Sequence, residues 1–260
     1  MASPSDTRTH SDILDSVEQV MNETVPDRQS RRSLMAKAGG VLAAGAALTL
    51  PGASVAGAAS RSSIVDLLAT FETFGVTLLS EAVRRAPGTP SAQFAPVVQA
   101  ANTTEFHHLK ALNAIGGRSL TKRFWIPDTV FDGNAGVFAA VALQEEVEIS
   151  TYLLGVTNAT QRRNAKEARL YAEALGTEAE HRVLARYALG VLTGKSATTL
   201  PNNRGFEAFG QKSPAAAMRA TEALGVGIGK QGKAPGRFYT YGGDPRKNGT
   251  GSKVATPNPS

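Results

Sequence analysis

Two Glu-x-x-His motifs, Glu105–His108 and Glu178–His181, are the residues of this chain best suited to chemistry. A spacing of three puts both side chains of a pair on one helix face, where a carboxylate and an imidazole can share a metal ion. With 14 glutamates and four histidines in 260 residues, chance supplies about 0.2 such matches. Two occur, and both keep step with a further glutamate. Glu72 precedes Glu105 by 33 residues, and Glu145 precedes Glu178 by 33. The chain therefore reads as two helical hairpins, each offering one lone glutamate and one Glu-x-x-His. Glu148 follows Glu145 by three residues, about 60° round a helix, and can reach the same centre. Glu146 reads as the solvent-facing member of that acidic run. His107 reads as a surface residue or as a neighbour that supports the ligands.

Helical periodicity is what must position these residues. Residues 63–85 carry Val65, Leu68, Glu72, Gly75, Leu79 and Ala82 on one face. Residues 92–115 align Phe94, Val98, Ala101, Glu105, His108, Leu112 and Ile115. Residues 134–154 align Phe138, Val141, Glu145, Glu148 and Tyr152, and residues 163–189 align Tyr171, Ala174, Glu178, His181, Ala185 and Ala188. Intervals of three and four keep each set on one stripe. Every stripe is apolar except at the seven glutamates and histidines. A carboxylate turned into such an interior costs several kcal/mol unless paired or metal-bound. Five carboxylates with two histidines cannot neutralise one another, so cations are the natural counter-charge. Tyr152 and Tyr171 read as packed core tyrosines.

Connections fit a bundle. Pro87, Gly88 and Pro90 make a short turn, and residues 155–161 make another. Between the second and third segments lie 18 residues, 116–133, opened by Gly116-Gly117 and containing Pro127 and the lone Trp125, which reads as a pin for this loop. One long crossover between two short-turn hairpins predicts an all-α, antiparallel four-helix bundle over residues 60–192.

On these residues the chain resembles the ferritin-like di-iron carboxylate proteins, which take a glutamate from each of two helices and Glu-x-x-His from each of the other two. The resemblance covers about residues 63–190. It implies that Glu72 and Glu145 each supply a lone carboxylate, that Glu105 and Glu178 bridge two metals, and that His108 and His181 each cap one. Glu148 is similar to the extra glutamate of the rubrerythrin branch. Two iron ions are the implied cofactors, with manganese as the alternative. No rubredoxin-like cysteine tail follows, so an external electron donor is implied.

The chain has no cysteine, which excludes disulfides, iron–sulfur clusters and a lipoprotein anchor. Its net charge is +6, but the basic residues are scattered and not interleaved with aromatics, so no nucleic-acid partner is expected. Residues 1–30 read as a disordered leader. Ser30-Arg31-Arg32-Ser33-Leu34-Met35-Ala36-Lys37 then resembles a twin-arginine export motif, followed by an uncharged Ala/Gly-rich stretch and the small-x-small triplet Ala56-Gly57-Ala58. Residues 31–59 thus read as a cleaved signal, not a stable membrane anchor, with the export machinery as partner and a periplasmic or extracellular destination. From residue 193 the chain reads as an irregular tail with one short helix over residues 213–224. A Gly-rich aromatic strap at 225–243 follows, and then a disordered end.

Two function classes follow: an oxidoreductase acting on peroxide, dioxygen or Fe(II), possible as a homo-oligomer, or a non-catalytic metal-binding or structural envelope protein. Export is expected to depend on the arginine pair. Replacing Arg31 and Arg32 by lysine and fractionating the cells should leave the protein inside; undiminished export contradicts the signal reading.

Overall fold

The computed structural model describes residues 64–133, 135–194 and 205–254. Residues 1–30, read above as a leader, and residues 31–59, read as a signal with Arg31 and Arg32, lie outside the described residues. Four long helices dominate: α1 (Ile64–Arg85), α2 (Ala95–Ala114, entered through a 3-10 turn at Pro90–Phe94), α3 (Gly136–Gln161) and α4 (Ala165–Thr193). A shorter α5 spans Pro214–Ala223, with Ser213 as its cap, the Ser213 hydroxyl accepting from the Ala216 N–H. The most extensive packing is α3 on α4 and α1 on α2; α1 also meets α3, and α2 meets α4. Among the described residues no helix is long and apolar enough to cross a membrane.

Helix α1 is the central element. Every residue from Leu67 to Ser80 is buried, because the helix is apolar or small on all sides. Its threonines satisfy their hydroxyls locally: Thr73 donates to the Ala69 carbonyl and Thr77 to the Thr73 carbonyl. On the flank away from α2, Leu67 and Phe71 pack with Val147 of α3 and Ala217 of α5.

The chain is mostly helical, but the all-α expectation needs correction. A three-stranded antiparallel sheet forms from β1 (Arg123–Pro127) in the crossover and β2 (Gly227–Ile228) and β3 (Gly236–Thr240) in the tail, in the order β2-β1-β3. Trp125 faces Phe238 across the pair. The Trp125 indole donates to the Ala234 carbonyl at 2.9 Å, and the Arg123 guanidinium lies 3.7 Å over the Phe238 ring. Phe124 and Ile126 turn inward and join Phe74 and Leu78 in the core. Trp125 therefore pins the tail to the crossover, a larger job than holding its own loop.

The tail keeps the expected short helix, as α5, and adds two strands to an otherwise irregular path; its residues up to 254 are docked where a disordered end is expected. Asn102 of α2 donates to the Thr250 carbonyl at 2.9 Å and to the Ser80 hydroxyl at 3.0 Å. The Thr103 hydroxyl donates to the Ser252 carbonyl at 3.0 Å.

The turn between α3 and α4 also differs from expectation. It was placed at residues 155–161, but α3 runs unbroken to Gln161. Arg163 then makes the turn in the left-handed region, at φ 57°, and the Asn164 side chain caps α4 by accepting from the Glu167 N–H. Gly155 is in the helix for packing: a Cβ there would lie 2.8 Å from the Tyr171 ring, itself buried. Gly176 of α4, by contrast, has nothing near its Cβ position. Urea unfolding of the two alanine variants should move in opposite directions. Gly176→Ala should gain about 0.5–1 kcal/mol from helix propensity, and Gly155→Ala should lose about 1–3 kcal/mol by overpacking. Equal shifts would mean that Gly155 is not a contact glycine.

Candidate metal centre

Each long helix contributes inward polar groups: α1 gives Glu72, α2 gives Glu105 and His108, α3 gives Glu145 and Glu148, and α4 gives Glu178 and His181. The structure brings all seven together. Their ligand atoms fall into three overlapping groups, each with mutual distances within 4.8 Å. Glu105, Glu145, Glu178 and His181 form one; Glu72, His108 and Glu178 form the second; Glu72, Glu105, Glu148 and Glu178 form the third. Glu178 belongs to all three, and Glu105 and Glu72 each belong to two. His181 Nδ1 lies 2.9 Å from both Glu105 Oε1 and Glu178 Oε2, and 3.8 Å from Glu145 Oε1. His108 Nδ1 lies 2.6 Å from Glu178 Oε1 and 3.6 Å from Glu72 Oε2. Each histidine thus faces a different end of the same cluster.

Water barely reaches six of these groups, and the His108 side chain is 13% exposed. Glu72 and Glu178 are 0% exposed, and Glu105, Glu145, Glu148 and His181 are buried. Oε2 of Glu105, of Glu145 and of Glu148 has no hydrogen-bond partner. A buried acceptor left in that state costs about 1–3 kcal/mol, more when charged. Bound cations would meet those oxygens, and carboxylate oxygens with imidazole nitrogens are a donor set that suits iron or manganese.

Acidities follow from the same crowding. Burial, then repulsion from Glu178, pushes Glu72 up to about 7. The same two causes push Glu105 and Glu145 well above the usual carboxylate range, and burial followed by Glu105 does so for Glu148. Glu178 goes the other way: burial raises it, but His108 and His181 together hold it below its ordinary value. Burial alone would lower His181, yet its hydrogen bonds to Glu105 and Glu178 bring it up to about 10. Without metal the cluster holds protons in place of cations, so metal uptake must release protons and weaken as pH falls.

Four supporting residues escaped sequence reasoning in whole or in part. Gly75 lay on the predicted stripe without a role. A Cβ there would come 2.5 Å from Glu105 Oε2, so the absent side chain makes room for that carboxylate. Gly75 follows Glu72 by three, as Glu148 follows Glu145. The first hairpin leaves space where the second adds a ligand. The buried Gln144 donates to Glu148 Oε1 at 3.1 Å, and nothing in a helical glutamine signals that duty. Tyr152 is packed in the core as expected, but its hydroxyl also donates a short hydrogen bond to Glu72 Oε1. The fourth is Arg182, buried one residue beyond His181. It pairs in two-pronged fashion with Glu207, at 2.5 and 2.7 Å, which fastens the tail to α4.

Other assignments shift. Glu146 faces away from the cluster but is not simply in solvent; it is mostly buried, 3.4 Å from Arg182 Nη1. His107 belongs to none of the three ligand groups and packs near Phe106. The Tyr171 hydroxyl donates to Glu167 at 2.8 Å, away from the centre.

No protein-family model, curated protein or solved structure matches this chain.

Elemental analysis of three variants tests that geometry. Glu178→Ala should lose most of the bound metal, since it removes the carboxylate common to every group. Gly75→Ala should lower metal content by displacing Glu105 while leaving the helical circular dichroism intact. Glu146→Ala should keep the wild-type metal content with some loss of stability. Equal metal loss in Glu146→Ala and Glu178→Ala would mean the wrong face of α3 has been assigned to the interior.

Proposed function

We propose that this chain is an exported ferritin-like four-helix bundle that holds two iron ions and works as an oxidoreductase on peroxide, dioxygen or Fe(II). The observation that carries the reading is the convergence of five buried carboxylates and two histidines on one interior point, three of the carboxylates with an oxygen that neither makes a hydrogen bond nor faces a histidine. Pairing of α1 with α2 and of α3 with α4, with the long crossover between the pairs, supports the bundle.

Charge counting favours a redox role. Five carboxylates against two ferrous ions leave one net negative charge; against two ferric ions they leave one net positive charge. A buried site that stays within one charge of neutrality in both states can pass between them without a large electrostatic penalty. Glu148 is what centres this range, because four carboxylates would leave two positive charges in the oxidised state. Two iron ions, if held there, would supply the two electrons that with two protons reduce one hydrogen peroxide to two waters, and an external donor would restore them.

The chain's own groups divide the remaining work. Glu178 and Glu105 are the carboxylates best placed to be shared, and His108 and His181 define the two ends. Tyr152 orients Glu72 through its hydroxyl, and Gln144 orients Glu148, each fixing a ligand from behind. The buried position of the cluster keeps bulk water out. The twin-arginine-like segment supports export, a route that carries folded, metal-loaded cargo.

Stopped-flow oxidation of the reduced, iron-loaded protein tests the reading. Peroxide should react faster than dioxygen, and Glu148→Ala should lose that preference. A faster reaction with dioxygen, or a Glu148→Ala variant that keeps the preference, contradicts the role given to Glu148. Inertness to both oxidants would make the centre a non-catalytic metal site.

A further inference from the structure

Beside the cluster, a cavity of about 150 Å3 opens among α2, α3 and α4, with Leu79 of α1 also in its wall. Its walls include Leu79, Val98, Ala101, Phe138, Val141 and Ala185, and its inner end is formed by Glu145 and His181. Val97, Leu184 and Tyr187 also line it; all three are more than 40% exposed and form its rim. Neither Glu72 nor His108 lines it, so the cavity meets only the Glu145–His181 end of the cluster.

The chemistry of the lining selects the occupant. Inside the rim the walls are hydrocarbon, so a water molecule there finds few of the partners it needs. The polar groups at the inner end are Glu145, whose buried Oε2 has no hydrogen-bond partner, and His181. An enclosed apolar cavity of this size accepts a ring the size of benzene, and the open rim here gives such a molecule a way in. Pockets that combine apolar walls with a few convergent polar groups are the usual form of a small-molecule site.

We propose that this cavity binds a small apolar molecule, a single aromatic ring or an alkyl chain of roughly six carbons, with its inner end against Glu145 and His181. The inference rests on the reading above for the meaning of that inner end: one end of the centre faces a site for an apolar ligand, and the Glu72–His108 end does not. Binding itself needs only the walls.

Benzene is the probe, followed by ligand-observed NMR on the full chain in metal-free and iron-loaded forms. Saturable binding is expected in both. Ala101→Phe should fill the cavity and weaken binding by about tenfold or more. Leu184→Trp should obstruct the rim and do the same from an exposed position that does not threaten folding. Both variants should keep the wild-type metal content. Absence of saturable binding in the wild type, or unchanged binding in Leu184→Trp, overturns the proposal. A dimer on size exclusion that excludes benzene also overturns it and gives the face to a second copy of the chain. The two readings fail separately: a chain that binds benzene but no iron defeats the metal centre alone, and one that binds iron but no benzene defeats the cavity alone.

Discussion

A carboxylate taken from water into a helical interior costs several kcal/mol unless a counter-charge meets it, and this chain takes five such groups to one point. The two histidines compensate only part of that charge. Glu178 receives both imidazoles, and the other four carboxylates are driven toward their protonated forms by burial and by one another. In this state the cluster is a store of unmet electrostatic demand, and the surrounding structure has to be rigid enough to keep it from dispersing. The packing is built accordingly. Helix α1, which carries Glu72 and Gly75, is buried from Leu67 to Ser80 and is held from several sides at once. The tail adds to this confinement through the strands flanking β1, the Asn102–Thr250 hydrogen bonds and the Arg182–Glu207 pair.

That confinement explains an asymmetry between the two hairpins. They share a spacing of 33 residues and the same donor types, yet Gly75 stands where Glu148 stands in the other half. With a side chain at both positions the interior would have to hold a further group beside Glu105, whose Oε2 already fills the space over Gly75. With neither, the cluster would carry four carboxylates, and under the proposed di-iron reading its oxidised state would lie two charges from neutral. One glycine and one glutamate satisfy sterics and charge together.

The seven polar residues were legible in the sequence because each interrupts an apolar stripe at helical spacing, and the pairing of Glu72 with Glu105 and Glu145 with Glu178 repeats across the chain. What stayed illegible depends on contacts distant in sequence. Trp125 pairs with Phe238 across more than a hundred residues, and strands as short as Gly227–Ile228 carry no alternation to read. Gly155 has the look of a helix breaker but is required by the Tyr171 ring against it. Glu146 looked solvated because its partner, Arg182, lies on another helix. Tyr152 was rightly read as core, while its hydroxyl bond to Glu72 depends on the relative height of α1 and α3, which periodicity does not specify.

The proposed function requires two metal ions in this cluster with Glu178 common to both. The most direct measurement is anomalous X-ray diffraction from crystals of the iron-loaded protein. Two anomalous peaks are expected inside the chain, one bounded by Glu105, Glu145, Glu178 and His181, the other by Glu72, His108 and Glu178. An interior without anomalous density, or a single peak remote from Glu178, would contradict it.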